Sequence, residues 1–595
     1  MLVLVALAAV IGVVGGVVGW AFLHVTALLL SLTLTHRVSW QMPDLASVHP
    51  GWELVPIAVL GGAVVAGLAR WEPLVRGHGI PEAMDAVLEH QSRLSPRTAV
   101  AKPVATSVAV GSGAPFGAEG PIIVTGGAVG SLLGQAVKVS PAERKILLAS
   151  GAAAGMAAIF GTPIGAVVLA IELLLFEFST RGLLPLVVAS VVADAVHDVL
   201  DGPGPFFAVP EIAHSTPAQL PFYALLGLVA GLLGALLTFG VYRVEDGFAR
   251  LPVPRFFHPM IGALGFALIG LLVPRSLGVG YDVIGESLAG HLAVTTLAVV
   301  FAAKLLAWWI AMGSGTSGSA LAPLLLIGAT AGGLLGAGLD HLLPGLGISS
   351  GGFALVAMVV TFGAAADAPL TAMVLGFELT GAYTLILPLM LAAVVGDVVV
   401  KWLLPESLMT EKLARRGVRV STDYRVDLLE TTLVGDAMAA DVAPLDAGAE
   451  LSQVGERFRS GDATAYPVVD HDGHLVGVVT ESDLVHRSDR SDRSARGPVR
   501  AWELVSHDPV VVSPDETVLH ALDLMVHESV GELAVVEGER VVGLLTRADV
   551  MVVTDRQEEQ EEPQPGVIAR LSPPRRRPRV DRGGSAPERD LGTDD

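Results

Sequence analysis

The 595-residue sequence contains no cysteine, which excludes disulfide bonds and metal sites with thiolate ligands. Charged residues are scarce as well, since Asp, Glu, Lys and Arg together make up 16% of the chain. Hydrophobic residues make up 52%, and the mean hydropathy of +0.61 is far above that of a soluble globular protein of this length. This composition predicts that lipid surrounds most of the chain.

The hydrophobic residues concentrate in the N-terminal part of the chain, in many largely apolar runs such as 55–68, 293–312 and 385–404. Several runs have the length needed to cross the hydrocarbon of a bilayer. Others are short or interrupted by Gly and Pro, which a membrane tolerates only where the free backbone is buried or lines a polar cavity. The first run, 1–32, has no basic start and is too long for a signal peptide, so we interpret it as the first helix. The pattern is typical of a multi-pass transport protein of the cell membrane.

Polar residues dominate after this region, and the predicted organisation follows from that change. We predict a membrane domain at 1–404, a connector at 405–424, soluble modules at 425–489 and 498–554, and a disordered tail at 555–595. Arg415 and Arg416, beside the last apolar run, favour a cytoplasmic C-terminus. The formal net charge is −21, with acidic residues clustered in the soluble part, which argues against nucleic acid as a partner.

The membrane domain contains an internal repeat. Residues 113–134 read GAPFGAEGPIIVTGGAVGSLLG and residues 315–336 read GTSGSALAPLLLIGATAGGLLG, with matching Gly and Pro at one offset of 202 residues. A second pair follows, TPIGAVVLAIE at 162–172 and APLTAMVLGFE at 368–378. Secondary transporters often contain two halves of inverted topology and bind their substrate between them. The glycines alone would also be explained by close helix packing.

Three Gly-rich loops each open a predicted helix with proline in its first turn. They read GHGIPEA at 77–83, GAEGP at 117–121 and GSALAP at 318–323. A helix N-terminus offers unpaired N–H groups and the positive end of the macrodipole, worth about half a charge. The loops therefore predict an anion site inside the membrane.

These loops resemble the signatures GSGIPE, GKEGP or GREGP, and GxFxP of the CLC family of chloride channels and chloride/proton antiporters, in the same order. The resemblance implies an all-α polytopic membrane fold with an inverted repeat, a homodimer, and transport of chloride or another small anion. It also implies a cytoplasmic α/β pair of CBS domains at the two soluble modules. The anion-binding residues implied are Gly77, His78, Gly79, Ile80, Pro81, Gly117, Gly120, Ser319, Ala320, Leu321 and Met409.

Glu119 matches the glutamate that gates the pathway in this family. A carboxylate inside a membrane costs several kcal/mol and is retained mainly for function. Between helix N-termini it can occupy an anion site itself, and protonation removes that attraction. The alternative is a glutamate that only caps the helix at Pro121.

Two positions at the expected central anion site depart from the family. His78 replaces the usual serine, and its imidazole either donates to the anion or turns away and bonds to backbone. Met409 stands where the family often has a tyrosine. These departures predict a weaker or more hydrated site, with chloride as the first substrate and other small anions as alternatives.

Proton coupling is left open by Leu173, because antiporters of the family commonly have a glutamate there. Glu172 and Glu378 occupy equivalent places in the two repeats. We interpret both as structural acids bonded to helix ends. Channel and antiporter therefore both remain possible from the sequence.

The soluble modules carry a repeat of their own, GVVTESDL at 477–484 and GLLTRADV at 543–550. They resemble a tandem CBS pair, in which a threonine or serine and an aspartate at this spacing often hold adenosine phosphates and ribose. The matching residues are Thr480, Asp483, Thr546 and Asp549. The alternative is that each Thr-x-x-Asp only caps a strand-to-helix turn.

Rival functions fit the sequence less well. A divalent-cation transporter with CBS domains needs acidic residues in the membrane pathway, whereas the three loops here offer backbone donors. An intramembrane zinc protease needs HExxH on a helix, but His527-Glu528 lies in the soluble part without a second histidine. A membrane-anchored nucleotide sensor leaves the three loops unexplained. We therefore expect no enzyme activity, no metal site and no required cofactor, with adenine nucleotide as the ligand to test.

Overall fold

The computed structural model describes residues 1–209, 215–418, 420, 429, 432–440, 442–460, 463–484, 499–505, 509–538 and 540–560. The chain divides into two compact units that separate near residue 422. The predicted tail lies outside the described residues beyond Gln560, where the last helix ends.

The first unit is helical throughout its described part. Its α-helices are α1 Leu2–Thr35, α2 Leu54–Trp71, α3 Ile80–Leu88, α4 Pro96–Gly111, α5 Glu119–Val137, α6 Pro141–Phe160, α7 Pro163–Ala170, α8 Thr180–Leu200, α9 Leu220–Ala249, α10 His258–Leu272, α11 Tyr281–Leu288, α12 Val294–Gly313, α13 Leu321–Leu342, α14 Ser350–Ala366, α15 Pro369–Glu378, α16 Ile386–Leu403 and α17 Glu411–Ala414. A π-helical turn, Ile171–Leu175, extends α7. Nine helices in this described part are long and apolar enough to cross a membrane.

The two halves of the unit repeat one order of helices, α1 to α8 and α9 to α16. In each half the Gly-rich helix packs along the helix that follows it, α5 on α6 and α13 on α14. The first helix of each half packs on the last, α1 on α8 and α9 on α16. The helices α7 and α15 pack on each other and join the halves.

Glycine allows the Gly-rich helices to approach their neighbours. A Cβ atom added at Gly126 would lie 2.1 Å from the Gly151 carbonyl oxygen, and one at Gly130 would lie 2.0 Å from that of Leu147. The equivalent Gly332 would meet the Phe353 carbonyl oxygen at 2.4 Å. No side chain fits at these distances, so these glycines are helix-packing positions.

The chain after α16 returns into the first unit instead of leaving it. The Leu408 N–H donates to the Ala365 carbonyl oxygen at 2.8 Å, and the Tyr242 hydroxyl donates to the Leu408 carbonyl oxygen at 2.9 Å. Met409 is fully buried. The segment predicted as a connector is therefore part of the membrane unit as far as Val418.

The second unit contains two similar three-stranded sheets. Its helices are α18 Val434–Ala437, α19 Leu451–Ser460, α20 Val518–His527 and α21 Arg547–Gln560, and its strands are β1 Leu445–Asp446, β2 Ala465–Val469, β3 Leu475–Thr480, β4 Val511–Val512, β5 Glu532–Glu537 and β6 Arg540–Thr546. The orders are β1-β2-β3 and β4-β5-β6, each with a parallel pair followed by an antiparallel hairpin. Each sheet lies within one of the two predicted soluble modules.

Candidate functional site

The three Gly-rich loops meet inside the first unit. Gly117 and Ser319 exchange backbone hydrogen bonds, with N···O distances of 3.3 and 3.1 Å. Gly77 pairs with Ser317 in a parallel bridge. The helices α3, α5 and α13 all begin at this loop junction, so their N-termini are brought together there.

Two glycines make this approach possible. Gly79 has φ +101°, a conformation that strains any residue with a Cβ atom. A Cβ atom at Gly79 would lie 2.5 Å from the Gly120 carbonyl oxygen, and one at Gly120 would lie 1.9 Å from the His78 carbonyl oxygen. The first and second loops are therefore in backbone contact.

Glu119 lies at the loop junction and is completely buried. The Tyr281 hydroxyl donates to its Oε1 at 2.6 Å. Its Oε2 has no hydrogen bond of good geometry among the described residues. That oxygen lies beside the Gly117 backbone, with Ala322 and the Ser319 side chain nearby. The carboxylate thus bonds to a side chain of α11.

A fourth loop leads to Tyr281 and was not among the loops predicted from the sequence. Residues 278–281 read GVGY and lead into α11, as GHGI at 77–80 leads into α3 in the first half. The glycines of both loops have positive φ, +52° and +85° at Gly278 and Gly280. The repeat would have revealed this loop, because α11 is the counterpart of α3.

Two buried lysines hold these loops. Lys102 Nζ donates to the carbonyl oxygens of Leu74, Val75 and Gly77 at 3.1, 3.0 and 2.9 Å. Lys304 Nζ donates to the carbonyl oxygen of Gly278 at 2.7 Å. Both are fully buried, and their positions differ by the repeat offset of 202 residues. Through these hydrogen bonds they fix the backbones of the two loops.

His78 lines a cavity of about 440 Å³, called here the His78 cavity. The side chain is 6% exposed, and its Nδ1 has no hydrogen-bond partner in the part of the chain that the structure describes. The ring also lies near the Leu408 backbone. The ring thus has one nitrogen without a partner at the cavity wall and also interacts with the Leu408 backbone, so both interpretations of His78 stand.

The predicted Met409 also lies at this end of the unit, where it is fully buried. Its N–H donates to Ser407 Oγ at 3.2 Å. The cavity itself is walled by cations as well as acids, because Lys412 pairs with Glu82 and Arg416 lies 3.5 Å from Asp85. Its remaining charged or titratable lining residues are Arg76, Tyr242, Glu245, Arg255 and His258.

Glu172 and Glu378 each cap a helix of the opposite half. Glu172 accepts from the N–H groups of Leu370 and Thr371 at 3.0 and 2.8 Å. Glu378 accepts from the N–H groups of Ile164 and Gly165 at 3.0 and 2.6 Å. The reciprocal contacts confirm that both are structural acids at helix ends. Leu173, next to Glu172, is 1% exposed in the π-helical turn.

The two Thr-x-x-Asp turns of the second unit have the same internal hydrogen bonds. Asp483 Oδ2 accepts from the N–H and hydroxyl of Thr480 at 2.9 and 2.7 Å. Asp549 Oδ2 accepts from the same groups of Thr546 at 2.8 and 2.7 Å. Each aspartate therefore caps its strand-to-helix turn, whether or not it also binds a ligand.

Two helical halves, joined in a membrane-length bundle around a buried carboxylate at converging loops, define an integral membrane transport protein. Residues 57–401 match the family model "Voltage gated chloride channel", and the chain therefore belongs to this family, the CLC family. Residues 434–490 and 501–554 match the CBS domain. The predicted family and fold class are confirmed.

Several relatives and solved structures are similar to this chain. The H+/Cl− exchange transporter ClcA of Vibrio campbellii is 30% identical over 434 residues, 71% of this chain and 92% of the relative. The crystal structure of a slow cyanobacterial Cl−/H+ antiporter has a TM-score of 0.63 and 26% identity, covering 69% of this chain and 97% of that chain. A eukaryotic CLC transporter shares the fold at a TM-score of 0.59 and 20% identity, covering 92% of this chain and 97% of its own.

Proposed function

We propose that this protein transports chloride across the membrane and that Glu119 gates its pathway. The observation that carries the proposal is the buried Glu119 carboxylate at the loop junction, with one oxygen unpartnered among the described residues. A carboxylate at converging helix N-termini occupies the position that suits an inorganic anion. Anion and carboxylate therefore compete for one place, and protonation removes Glu119 from that competition.

Chloride is the proposed substrate because one curated relative is named as an H+/Cl− exchange transporter and another, from Ralstonia nicotianae, as a "Putative chloride channel protein". Leu173 has no titratable group, so proton transfer through its side chain is excluded. If the protein exchanges protons, they reach Glu119 from the inner side of the membrane through residues other than Leu173. If it exchanges none, the protein is a channel. His78 and Met409 replace the serine and tyrosine donors that are usual at this site. Other small anions are therefore to be compared with chloride as substrates.

The test uses purified full-length protein in liposomes loaded with potassium chloride, with valinomycin to carry the compensating potassium. We expect chloride efflux well above protein-free liposomes, recorded by electrode, with external pH followed in parallel. Bromide, nitrate and fluoride replace chloride in matched preparations. Efflux of none of these anions would contradict the proposal, whereas efflux of another anion without chloride would reassign the substrate.

The His78 cavity is proposed to face the cytoplasm. Arg76, Arg255, Lys412 and Arg416 lie at this end of the unit, as the positive-inside rule favours. The C-terminus is then cytoplasmic and the loop 36–53, at the other end of α2, is external. Reaction of Lys412→Cys with an impermeant thiol reagent only from the cytoplasmic side is expected, and external labelling would contradict this orientation.

A homodimer is proposed from the family resemblance. α8 and α16 expose apolar side chains such as Val191, Val394 and Trp402, which lipid or a second copy of the chain would cover. We expect a dimer mass in mild detergent, and a monomer would count against the proposal.

Adenine nucleotide binding by the CBS pair is proposed at the Thr-x-x-Asp turns. The two sheets contact each other through β2 with β6 and through β3 with β5. Asp483 of the first module lies close enough to Glu532 of the second that it adds to burial in raising the pKa of Glu532, while Arg547 opposes the shift. A ribose at Asp483 would therefore lie beside the second module.

Calorimetry with AMP, ADP and ATP tests this site. We expect binding by the wild type, weakened about tenfold or more in Asp483→Ala or Asp549→Ala, because a hydrogen bond to a charged group is lost. Asp470→Ala, on the exposed turn between β2 and β3, is the matched control and should bind normally. No heat with any nucleotide, or normal binding by both turn variants that remain folded, would reject the site.

A further inference from the structure

We infer that Tyr281 is a positioning residue that holds the ionised Glu119 in the pathway and so sets how readily the gate opens. This inference rests on the proposed function of Glu119 as the gate. It identifies the side chain whose hydrogen bond to Glu119 must break when an anion or a proton displaces the carboxylate.

The hydrogen bond between the two side chains has the length of a charge-assisted bond. The distance from the Tyr281 hydroxyl to Glu119 Oε1 is 2.6 Å, within the range of O–H donors on carboxylates. Such bonds are roughly twice as strong as those between neutral groups. The phenol therefore favours the ionised carboxylate over the protonated acid, and it favours the position in which that carboxylate blocks the pathway.

The ring of Tyr281 is held on its sides by phenylalanines. Phe206 meets it edge to face, with ring centroids 4.9 Å apart. Phe160 and Phe207 lie at 6.1 and 6.2 Å in similar geometry. These three residues form an aromatic cage that keeps the hydroxyl from following Glu119 if the carboxylate swings away.

The backbone that carries Tyr281 is fixed as well. Lys304 Nζ binds the Gly278 carbonyl oxygen at 2.7 Å, just before the tyrosine. Asp282, just after it, accepts from the Leu45 N–H at 2.7 Å. The donor is thus preorganised from both sides, so opening the gate breaks its bond to Glu119 instead of dragging α11 along.

Tyr281 lies between Glu119 and a second cavity. This Tyr281 cavity, of about 210 Å³, is lined also by Asp44 and Asp282. It is reached from the loop 36–53, at the opposite end of α2 from the His78 cavity. Tyr281 lines this cavity and is partly exposed as a residue, whereas Glu119 is fully buried. A proton or anion that approaches from this cavity therefore meets Tyr281 before it meets the gate.

The loss of the phenol donor predicts the direction of the pH effect. The other titratable groups near the pair are Lys304 from α12 and Asp282 from α11, which interact electrostatically with each other, and His78 on the first loop. Tyr281→Phe leaves all three in place and removes only the donor to the carboxylate. The ionised, blocking form of Glu119 then loses its main partner, so the gate opens at a lower proton concentration and anions displace it more easily.

The experiment measures initial chloride efflux from liposomes against external pH for full-length variants. Tyr281→Phe should raise efflux at neutral pH about tenfold, the effect of one charge-assisted hydrogen bond, and should move the half-maximal pH upward. Tyr223→Phe is the matched control, since its ring stacks on Phe353 and not in the aromatic cage, and it should behave as wild type. Phe206→Leu, which loosens the cage but keeps the phenol, should shift efflux in the same direction by less.

Glu119→Gln and the double variant with Tyr281→Phe separate the two claims. If Tyr281 acts through Glu119, the double variant should match Glu119→Gln alone. Unchanged efflux and half-maximal pH in both Tyr281→Phe and Phe206→Leu, with pH dependence lost in Glu119→Gln, would overturn the role of Tyr281 and leave the gate intact. Retained pH dependence in Glu119→Gln would instead overturn the gate. An effect of Tyr281→Phe that persists in the double variant would show that Tyr281 acts on another group.

Discussion

Glu119→Gln should conduct chloride at least as fast as the wild type and lose the dependence of that flux on external pH. The amide has the shape of the protonated acid but carries no charge, so helix N-termini no longer hold it against an arriving anion. It also cannot release or take up a proton at this position. Liposome efflux over a series of external pH values measures both consequences.

Proton movement gives the same variant a second readout. If a chloride gradient drives proton uptake in the wild type, that uptake should vanish in Glu119→Gln while chloride movement remains. If the wild type moves no protons, Leu173 is the simplest cause, since it lacks the titratable group that antiporters commonly have there.

The matched control is Glu378→Gln, another carboxylate of the membrane unit. Its oxygens bind the N–H groups of Ile164 and Gly165 at a helix end, away from the loop junction. It should keep the pH dependence of the wild type. If Glu119→Gln also keeps that dependence, the gate lies elsewhere, and the cavity-lining His78 is the next residue to substitute.

Gly120→Ala should abolish most transport and reduce the yield of folded protein. Its Cβ atom would lie 1.9 Å from the His78 carbonyl oxygen and 3.2 Å from Ser319 Oγ, so the first and second loops must separate. Overpacking typically costs about 1–3 kcal/mol and sometimes more. Here the strain falls on the backbone that forms the anion site, so we expect efflux to fall by about tenfold or more.

Gly127→Ala is the control for the loss of a glycine in the same helix. Its Cβ atom would meet only Leu148, at an ordinary 3.5 Å. We expect normal efflux and a normal elution profile after heating in detergent. Normal transport by Gly120→Ala would contradict the direct contact between the loops.

The fold and the centre of the site could be predicted because their signals are local or repeated. Each of the three loops contains Gly and is followed by a proline in the first turn of a helix. Two of the loops also align with each other in the internal sequence repeat. Glu172 and Glu378 could be interpreted correctly for the same reason, since equivalent positions in a repeat suggest equivalent roles at helix ends.

Tyr281 and the two buried lysines were missed because their partners are distant in sequence. The hydrogen bond from Tyr281 to Glu119 spans 162 residues, and no local pattern specifies it. The repeat held the missing information, because α11 is the counterpart of α3 and Lys304 the counterpart of Lys102. Met409 was predicted at the anion site, but the predicted boundary at residue 404 placed it in the connector, because the hydropathy of the chain falls before the chain leaves the membrane unit.

The Glu119 carboxylate and a transported anion are proposed to share one place at the loop junction. Anomalous diffraction from crystals of Glu119→Gln grown in bromide can locate that anion, with wild-type crystals as the reference. We predict a bromide peak between the Gly117 and Ser319 loops in the variant, at the place that the carboxylate fills in the wild type. Bromide bound elsewhere along the pathway of the variant, with no peak at the loop junction, would show that carboxylate and anion do not share this place.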